Sequence, residues 1–346
     1  MSDNVRLLIG HDHGLSGMRS SDGGQTWGQA ELFIPDVEVT TIVELDGEMY
    51  AGTRGAGIFH RPQGPGKAWE QIETPPALTK IRSLCAANGT LLAGTEPAGV
   101  FEWVSRRSWE PVGDVMSTAG SGEWSYPVPS VAVHVRDVAV DPAKPERVYA
   151  AIQVGGIALS PDRGKTWLER TNLNLDVHTI KTDPKRPGWV LAGAGYDPRS
   201  LLTDGLYRSD DFGDSWTAIS QGCGNFVVQF AVDPADSDTI YLGTSRGYPP
   251  EWWKAKTAHG EVFRTRNGGK SWEKLHGGLP DELVSHITAV TVDPANGRHV
   301  FFGGGLSRGD FSASDAGVYQ SLDAGDSWRK VSDIPEPAAL FCHALR

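Results

Sequence analysis

The sequence has few cysteines, no long apolar run and no basic amino-terminal stretch, and each absence excludes a class of protein. Its three cysteines, Cys85, Cys223 and Cys342, are widely separated and form no Cys-x-x-Cys pair. A disulfide framework is therefore excluded, and reduced thiols are expected. No apolar run approaches the roughly 20 residues that cross a bilayer, and residues 1–4 lack the basic region of a secretion signal. These features predict a cytoplasmic protein with no membrane partner.

Basic residues are also in deficit. The chain has 32 Lys and Arg against 43 Asp and Glu, a net charge of -11, whereas proteins that bind nucleic acid need a surplus of Lys and Arg on one face. The glycine-rich segment 52–57 joins two predicted strands and does not open a helix, so it does not match a dinucleotide fingerprint. We therefore expect no nucleic-acid partner and no nucleotide cofactor.

Tryptophan, by contrast, is abundant and periodic. Five segments share the pattern Ser/Thr-x-Asp/Asn-x-Gly-x-Thr/Ser-Trp, and they are residues 20–27, 160–167, 209–216, 265–272 and 321–328. Two degenerate copies end at Trp69 and Trp109, and successive tryptophans of the series lie 40 to 58 residues apart. One four-stranded propeller blade has a period of about 40 to 50 residues. Seven copies therefore predict seven blades.

Short strand-like runs recur in step ahead of each motif. Residues 205–208 are typical of a third strand, residues 240–243 of a second, and residues 230–234, which close on Asp-Pro, of a first. The chain begins at a second strand and ends, at residues 339–346, in a first strand. We expect these termini to pair, because closure leaves no loose sheet edge. The prediction is an all-β, seven-bladed propeller of four-stranded antiparallel blades, forming a single domain over residues 1–346.

The boxes resemble the Asp-box (BNR) repeat of sialidases, xyloglucanase-type glycosidases, sortilin-type receptors and the photosystem II assembly factor propeller. The resemblance covers nearly the whole chain, and it is specific for fold and not for function. It implies that each box is the hairpin between third and fourth strands, with an Asp that accepts backbone N–H bonds, a glycine of positive φ and a tryptophan that packs between blades. The box residues with an expected structural role are Asp22, Asp162, Asp211, Asn267 and Asp323.

Histidines are concentrated near the loops expected to carry function. Counted back from the Asp-Pro turns, several share one strand orientation, and two more flank Asp12 in a loop of the first blade. The predicted metal ligands are His11, His13, His134, His178, His286 and His343. Converging neutral imidazoles hold divalent Zn, Fe, Mn or Cu. A divalent transition metal is therefore the predicted cofactor, although any single histidine is more commonly a packing residue.

Arginines, aromatic residues and carboxylates complete the predicted site. The arginines expected to bind an anionic substrate are Arg54, Arg82, Arg199, Arg246 and Arg308, with Arg136 assigned to orient it in catalysis. Trp124, Trp252 and Trp253 lie in long loops, where an indole either stacks on a ligand or anchors the loop. The loop carboxylates considered as general acid or base are Glu123, Asp197, Glu251 and Asp310, of which Glu123 is the catalytic candidate.

Three functions remain open from the sequence. The main interpretation is an intracellular enzyme with a histidine-lined funnel, dependent on a divalent metal and acting on a small polar or anionic molecule. The first alternative is a metal-free glycoside hydrolase of sialidase-like fold, which the resemblance and the loop tryptophans favour. The second is a noncatalytic propeller that binds a ligand or a protein partner.

Overall fold

The computed structural model of this chain describes residues 4–64, 66–105, 108–170, 173, 175–196 and 205–344. Over these residues the chain is almost entirely β-structure, with one α-helix, α1 (Pro249–Ala255), and three short 3-10 helices at Pro76–Leu78, Val115–Ser117 and Ser121–Glu123. None of these helices has the length and apolar character of a membrane span.

The strands are short, as expected for a chain punctuated by glycine and proline. The first fifteen are β1 (Val5–His11), β2 (Gly14–Ser20), β3 (Glu31–Pro35), β4 (Val39–Leu45), β5 (Glu48–Thr53), β6 (Ile58–Arg61), β7 (Glu70–Gln71), β8 (Ile81–Ala87), β9 (Thr90–Thr95), β10 (Gly99–Ser105), β11 (Ser108–Pro111), β12 (His134–Asp141), β13 (Lys144–Gln153), β14 (Gly156–Ser160) and β15 (Leu168–Arg170). The remainder are β16 (Val177–Thr182), β17 (Val190–Ala194), β18 (Leu206–Ser209), β19 (Thr217–Ala218), β20 (Phe230–Val232), β21 (Ile240–Thr244), β22 (Glu261–Thr265), β23 (Glu273–Lys274), β24 (His286–Asp293), β25 (Asn296–Gly305), β26 (Ser307–Arg308), β27 (Phe311–Ser312), β28 (Gly317–Ser321), β29 (Arg329–Ser332) and β30 (Ala339–Ala344).

These strands form seven four-stranded antiparallel sheets, which we call blades 1 to 7. In chain order the blades are β30-β1-β2-β3, β4 to β7, β8 to β11, β12 to β15, β16 to β19, β20 to β23, and β24-β25-β28-β29, and β26 pairs with β27 in a separate hairpin. The predicted seven-bladed β-propeller is confirmed. The predicted closure is also confirmed, because β30 pairs with β1, with Ala344 opposite Val5 and Ala339 opposite Gly10.

The chain divides into two compact units. The terminal unit combines Met1–Val39 with Ser220–Arg346 and contains blades 1, 6 and 7, whereas the central unit, Thr40–Ile219, contains blades 2 to 5. Each unit buries aliphatic and aromatic side chains between successive blades. Removal of this apolar surface from water is the main force that holds neighbouring blades together.

The Asp boxes have the geometry that the resemblance implies. In the first box the Asp22 carboxylate accepts hydrogen bonds from the Thr26 amide at 2.9 Å and the Thr26 hydroxyl at 2.6 Å, and Gly24 adopts a φ of +88°. In two places the hydroxyl of a tyrosine from the preceding blade donates a hydrogen bond to a backbone carbonyl of a box. Tyr149 donates to the carbonyl of Phe212 in the central unit, and Tyr241 donates to that of Ala324 in the terminal unit, each at 3.1 Å. The boxes are therefore structural turns, and two of them also bind the preceding blade through a hydrogen bond.

Candidate functional site

In the terminal unit, the connection from β29 to β30 carries Glu336 between two prolines, and glycine in β25 allows it to lie close to the sheet. A Cβ on Gly305 would lie 2.4 Å from Cγ of Glu336 and 2.8 Å from its backbone nitrogen. The amide of Glu336 donates to the carbonyl of Gly304 at 3.3 Å. Because the glycines leave room for this approach, the Glu336 side chain is half-buried instead of extended into solvent.

The environment of Glu336 favours its protonated form. Burial raises the pKa of this carboxyl, and the negative charge of Asp12 raises it further, while a hydrogen bond from the Ser307 hydroxyl, 2.9 Å from Oε1, lowers it. The first two effects prevail. Asp12 is exposed in the turn between β1 and β2. A carboxylic acid of raised pKa that interacts with a second carboxylate is the arrangement that allows one group to donate a proton and the other to accept one.

The hairpin of β26 and β27 connects this carboxyl pair to an exposed aromatic ring. Ser307, the partner of Glu336, is followed by Arg308, whose guanidinium lies 4.4 Å from the ring centroid of Trp253 in α1. Trp253 is 39% exposed. A tryptophan that presents part of its ring to solvent beside such a pair can stack on a sugar ring. We refer to Asp12, Glu336, Ser307, Arg308 and Trp253 as the carboxyl site.

The neighbouring Trp252 has a different environment. It is 3% exposed, its indole N–H donates to the carbonyl of Arg246, and its ring lies 4.4 Å from that of His286 and 4.8 Å from that of Phe226. The Arg246 guanidinium pairs with Glu261 through two hydrogen bonds of 3.1 and 2.8 Å. The structure thus uses Trp252 to anchor α1, while Arg246 already has a carboxylate partner.

The central unit brings together two predicted arginines, Arg54 and Arg82, around a buried carboxylate. Glu96, which follows β9, contacts Nη2 of Arg82 through Oε2, and the same oxygen lies 3.5 Å from Nε of Arg54. Its other oxygen lies 3.1 Å from Nζ of Lys80. Burial raises the pKa of Glu96. The charge of Arg82 and the contacts with Lys80 and Arg54 outweigh this effect and hold that pKa below its usual range.

Arg136 adds a further cation to this group. Burial, followed by the positive charges of Arg136 and Arg54, lowers the pKa of Arg82. Burial and the charge of Arg82 likewise lower the pKa of His134 to about 3, so this imidazole is neutral. We refer to Arg54, Lys80, Arg82, Arg136 and Glu96 as the basic site.

The remaining predicted residues of the central unit do not belong to the basic site. Some of them lie outside the described part of the chain. Glu123 is exposed at the end of a 3-10 helix. Trp124 is 7% exposed, and its indole N–H donates to Glu169 at 3.2 Å. Arg199 and Asp197 lie outside the described residues. In the terminal unit, Glu251 is exposed in α1, and Asp310 is exposed between β26 and β27.

The six histidines predicted to bind metal have varied environments. The contacts at their rings include His11 Nε2 to Ser16 Oγ at 2.9 Å, His134 Nε2 to Gln153 Oε1 at 3.2 Å, His178 Nε2 to Asp176 Oδ1 at 3.1 Å and His286 Nδ1 to Ser245 Oγ at 2.9 Å. His13 is exposed, and His343 lies in β30. Throughout the described residues, three potential metal-ligand atoms come within 4.8 Å of one another in Asp293, His299 and Cys342, a buried trio that includes none of the six.

Comparison with known proteins shows sequence similarity over part of the chain. The Sortilin-Vps10 family (Sortilin, neurotensin receptor 3) matches residues 204–336. A xyloglucanase of Paenibacillus sp is 28% identical over 165 residues, which cover 44% of this chain and 15% of that enzyme. The chain therefore matches a small part of the length of this relative. These matches confirm the resemblance inferred from the boxes.

Solved structures support the same fold. The GH74 enzyme of Niastella koreensis superposes with a TM-score of 0.62 at 16% identity, covering 85% of this chain and 45% of the enzyme. YCF48 bound to D1 peptide superposes with a TM-score of 0.55 at 16% identity, covering 86% of this chain and 84% of YCF48.

The main functional interpretation of the sequence was wrong. An intracellular, metal-dependent enzyme for a small anionic substrate does not agree with relatives that are xyloglucanases. The glycoside hydrolase alternative agrees with them better.

Glu336, Lys80 and Glu96 were not among the candidates predicted from the sequence. The Pro335-Glu336-Pro337 segment could have indicated the first of them, because its prolines hold a carboxylate in a rigid connection between two strands.

Proposed function

We propose that this chain is a glycoside hydrolase that acts on a xyloglucan-type polysaccharide at the carboxyl site of the terminal unit. The observation that carries the proposal is the raised pKa of Glu336, caused by burial and by the charge of Asp12. Glycoside hydrolysis uses two carboxyl groups of unequal acidity, one to protonate the leaving oxygen and one to assist attack. The similarity to xyloglucanases supports the choice of substrate.

In the proposed reaction Glu336 donates its proton to the glycosidic oxygen as the bond from that oxygen to the anomeric carbon breaks. Asp12 accepts a proton from the water whose oxygen attacks the same carbon. One water is consumed, a new reducing end is formed, and the two carboxyl groups exchange their protonation states through solvent before the next turnover. Trp253 stacks on a sugar ring beside the bond that is cleaved.

Replacement of the two carboxyl groups tests these roles. Release of reducing ends from xyloglucan would be measured for the unaltered chain and for Glu336→Gln and Asp12→Asn. We expect kcat to fall by about 100-fold or more in each variant, the usual effect of losing a general acid or base. Asp333→Asn is the matched control, because Asp333 is an exposed carboxylate three residues before Glu336 that pairs with Lys330.

The control should retain full activity. If the unaltered chain releases no reducing ends from xyloglucan or from other soluble glucans, the proposed function is wrong. If it does release them but Glu336→Gln is equally active, the chain is a hydrolase with a different acid. Glu123→Gln would then test the carboxylate that the sequence favoured.

A noncatalytic binding propeller is the second candidate, because the basic site has four cationic side chains and no evident role in the hydrolysis of a neutral glucan. YCF48, whose structure was solved bound to D1 peptide, resembles this chain in extent as well as in fold. Absence of hydrolysis together with anion binding at the basic site would favour this second function.

A further inference from the structure

The basic site of the central unit contains more positive charge than its own carboxylate balances. Three consecutive blades contribute to it: Arg54 follows β5, Lys80 directly precedes β8, Arg82 lies in β8, and Arg136 lies in β12. Glu96 is the acidic member of the group. At neutral pH this group therefore contains four cations and one anion, and its Arg82 and Glu96 side chains are 4% and 1% exposed.

Two of the cations retain unused hydrogen-bonding capacity. Within the described part of the chain, the buried Nε of Arg82 has no hydrogen-bond partner, although Nη2 of the same guanidinium contacts Glu96. Arg136 is half-buried, and its guanidinium forms neither a hydrogen bond nor an ion pair with the described residues. Buried donors and unbalanced buried charge both cost free energy. An arrangement of this kind is stabilised when an external anion occupies it.

Glu96 indicates which kind of anion the site accepts. A single carboxylate engages Arg82, Lys80 and Arg54 at once, so these side chains already converge on one planar oxyanion. Guanidinium groups are suited to carboxylate and phosphate because their N–H donors match the spacing of the oxygens. His134, held neutral beside them with its Nε2 bonded to Gln153, adds no charge of its own.

We propose that the basic site binds a small oxyanion, a carboxylate or a phosphate group, next to Glu96 and between Arg82 and Arg136. This proposal concerns the central unit and does not depend on the hydrolysis proposed for the carboxyl site. The ligand's negative charge offsets the excess of cations, and its oxygens accept hydrogen bonds from Arg136 and from the donor of Arg82 that lacks a partner.

Calorimetric titration of the full chain with inorganic phosphate and, separately, with acetate at low ionic strength tests this proposal. We expect saturable binding of at least one of the two anions and a rise in melting temperature in its presence. Binding of phosphate alone or of acetate alone identifies the group that the natural ligand carries. Absence of binding for both anions at millimolar concentration would overturn the proposal.

Arg136→Gln should weaken anion binding by about 10- to 100-fold, the loss expected for one charge-assisted hydrogen bond. In the absence of anion this variant should melt at the same temperature as the unaltered chain or higher, because it removes a charge that opposes Arg82. Arg208→Gln is the control, since Arg208 pairs with Asp210 in the same unit. Undiminished binding by Arg136→Gln would remove Arg136 from the proposed site. A lowered melting temperature without anion would assign Arg136 a structural role instead.

Discussion

The Ser307 hydroxyl donates a hydrogen bond to Oε1 of Glu336 over 2.9 Å, and this bond connects the β26–β27 hairpin to the proposed general acid. It stabilises the ionised form of Glu336, and so it opposes the burial and the Asp12 charge that favour the protonated form. In the proposed hydrolase, the hairpin would therefore influence proton donation through Ser307 and sugar binding through Arg308, which lies over the Trp253 ring.

Ser307→Ala should move the alkaline limb of the hydrolysis profile to higher pH. Loss of a bond that favours the carboxylate raises the pKa of Glu336 further, so the acid remains protonated over a wider range. The profile of kcat/KM against pH on xyloglucan measures this shift. Ser312→Ala is the control, because Ser312 lies directly opposite Ser307 in the same hairpin. An unmoved alkaline limb would show that Ser307 does not tune the acid.

Trp253→Ala should raise KM for xyloglucan by about 3- to 10-fold with little change in kcat, since stacking is worth about 0.5–1.5 kcal/mol. Its melting temperature should change little, because the ring is 39% exposed. Trp252→Ala should instead destabilise the chain by about 3–5 kcal/mol, because it removes a buried ring. Leu32→Ala, at another exposed apolar side chain of the terminal unit, controls for loss of surface. A normal KM in Trp253→Ala would remove this ring from the site.

In the double variant Asp22→Asn with Asp211→Asn, stability should fall less steeply with decreasing pH than it does in the unaltered chain. Hydrogen bonds from Thr26 and Ser20 lower the pKa of Asp22 to about 2 from 3.8, and at Asp211 bonds from Ser215 and Ser209 overcome the effect of burial to give about 2. A depressed folded-state pKa contributes stability above pH 3.8 that is lost as the pH falls through about 2.

Asparagine preserves the turn in this double variant while removing its titration. Asn267 already occupies the same position of another box, where its side-chain oxygen accepts from the Ser271 amide at 3.0 Å and its Nδ2 donates to the Ser271 hydroxyl at 2.8 Å. Circular dichroism during acid titration measures the effect, which is limited because both carboxylates are exposed to solvent. A curve as steep as that of the unaltered chain would mean that other carboxylates govern acid unfolding.

The fold could be predicted from the sequence because its determinants are local and repeated. Each Asp box specifies its own hairpin through contacts that span four residues, such as Thr26 to Asp22. Seven tryptophans at a blade-like interval therefore indicated seven blades, and the unpaired first and second strands at the termini indicated the pairing of β30 with β1.

The candidate sites could be predicted only in part. Arg54 was identified in a loop between second and third strands, and Arg82 and Arg136 were identified at the entrances of inner strands. The carboxylate that contacts Arg54 and Arg82, Glu96, has no local signature. Trp252 and Trp253 are adjacent in sequence, yet one is 3% exposed and the other 39%. That difference depends on the packing of α1 against Phe226 and His286, which are distant in the chain.

The sequence by itself determined the blades and their number, since the boxes form through short-range hydrogen bonds, and it indicated their closure, since the strands at the two termini together complete one blade. Only the tertiary structure decided the chemistry of individual groups. Glu336 acquires its raised pKa from burial against β25 and from the charge of Asp12, more than 300 residues earlier in the chain. A pKa reflects desolvation and charge through space, and neither is recorded in the order of the residues.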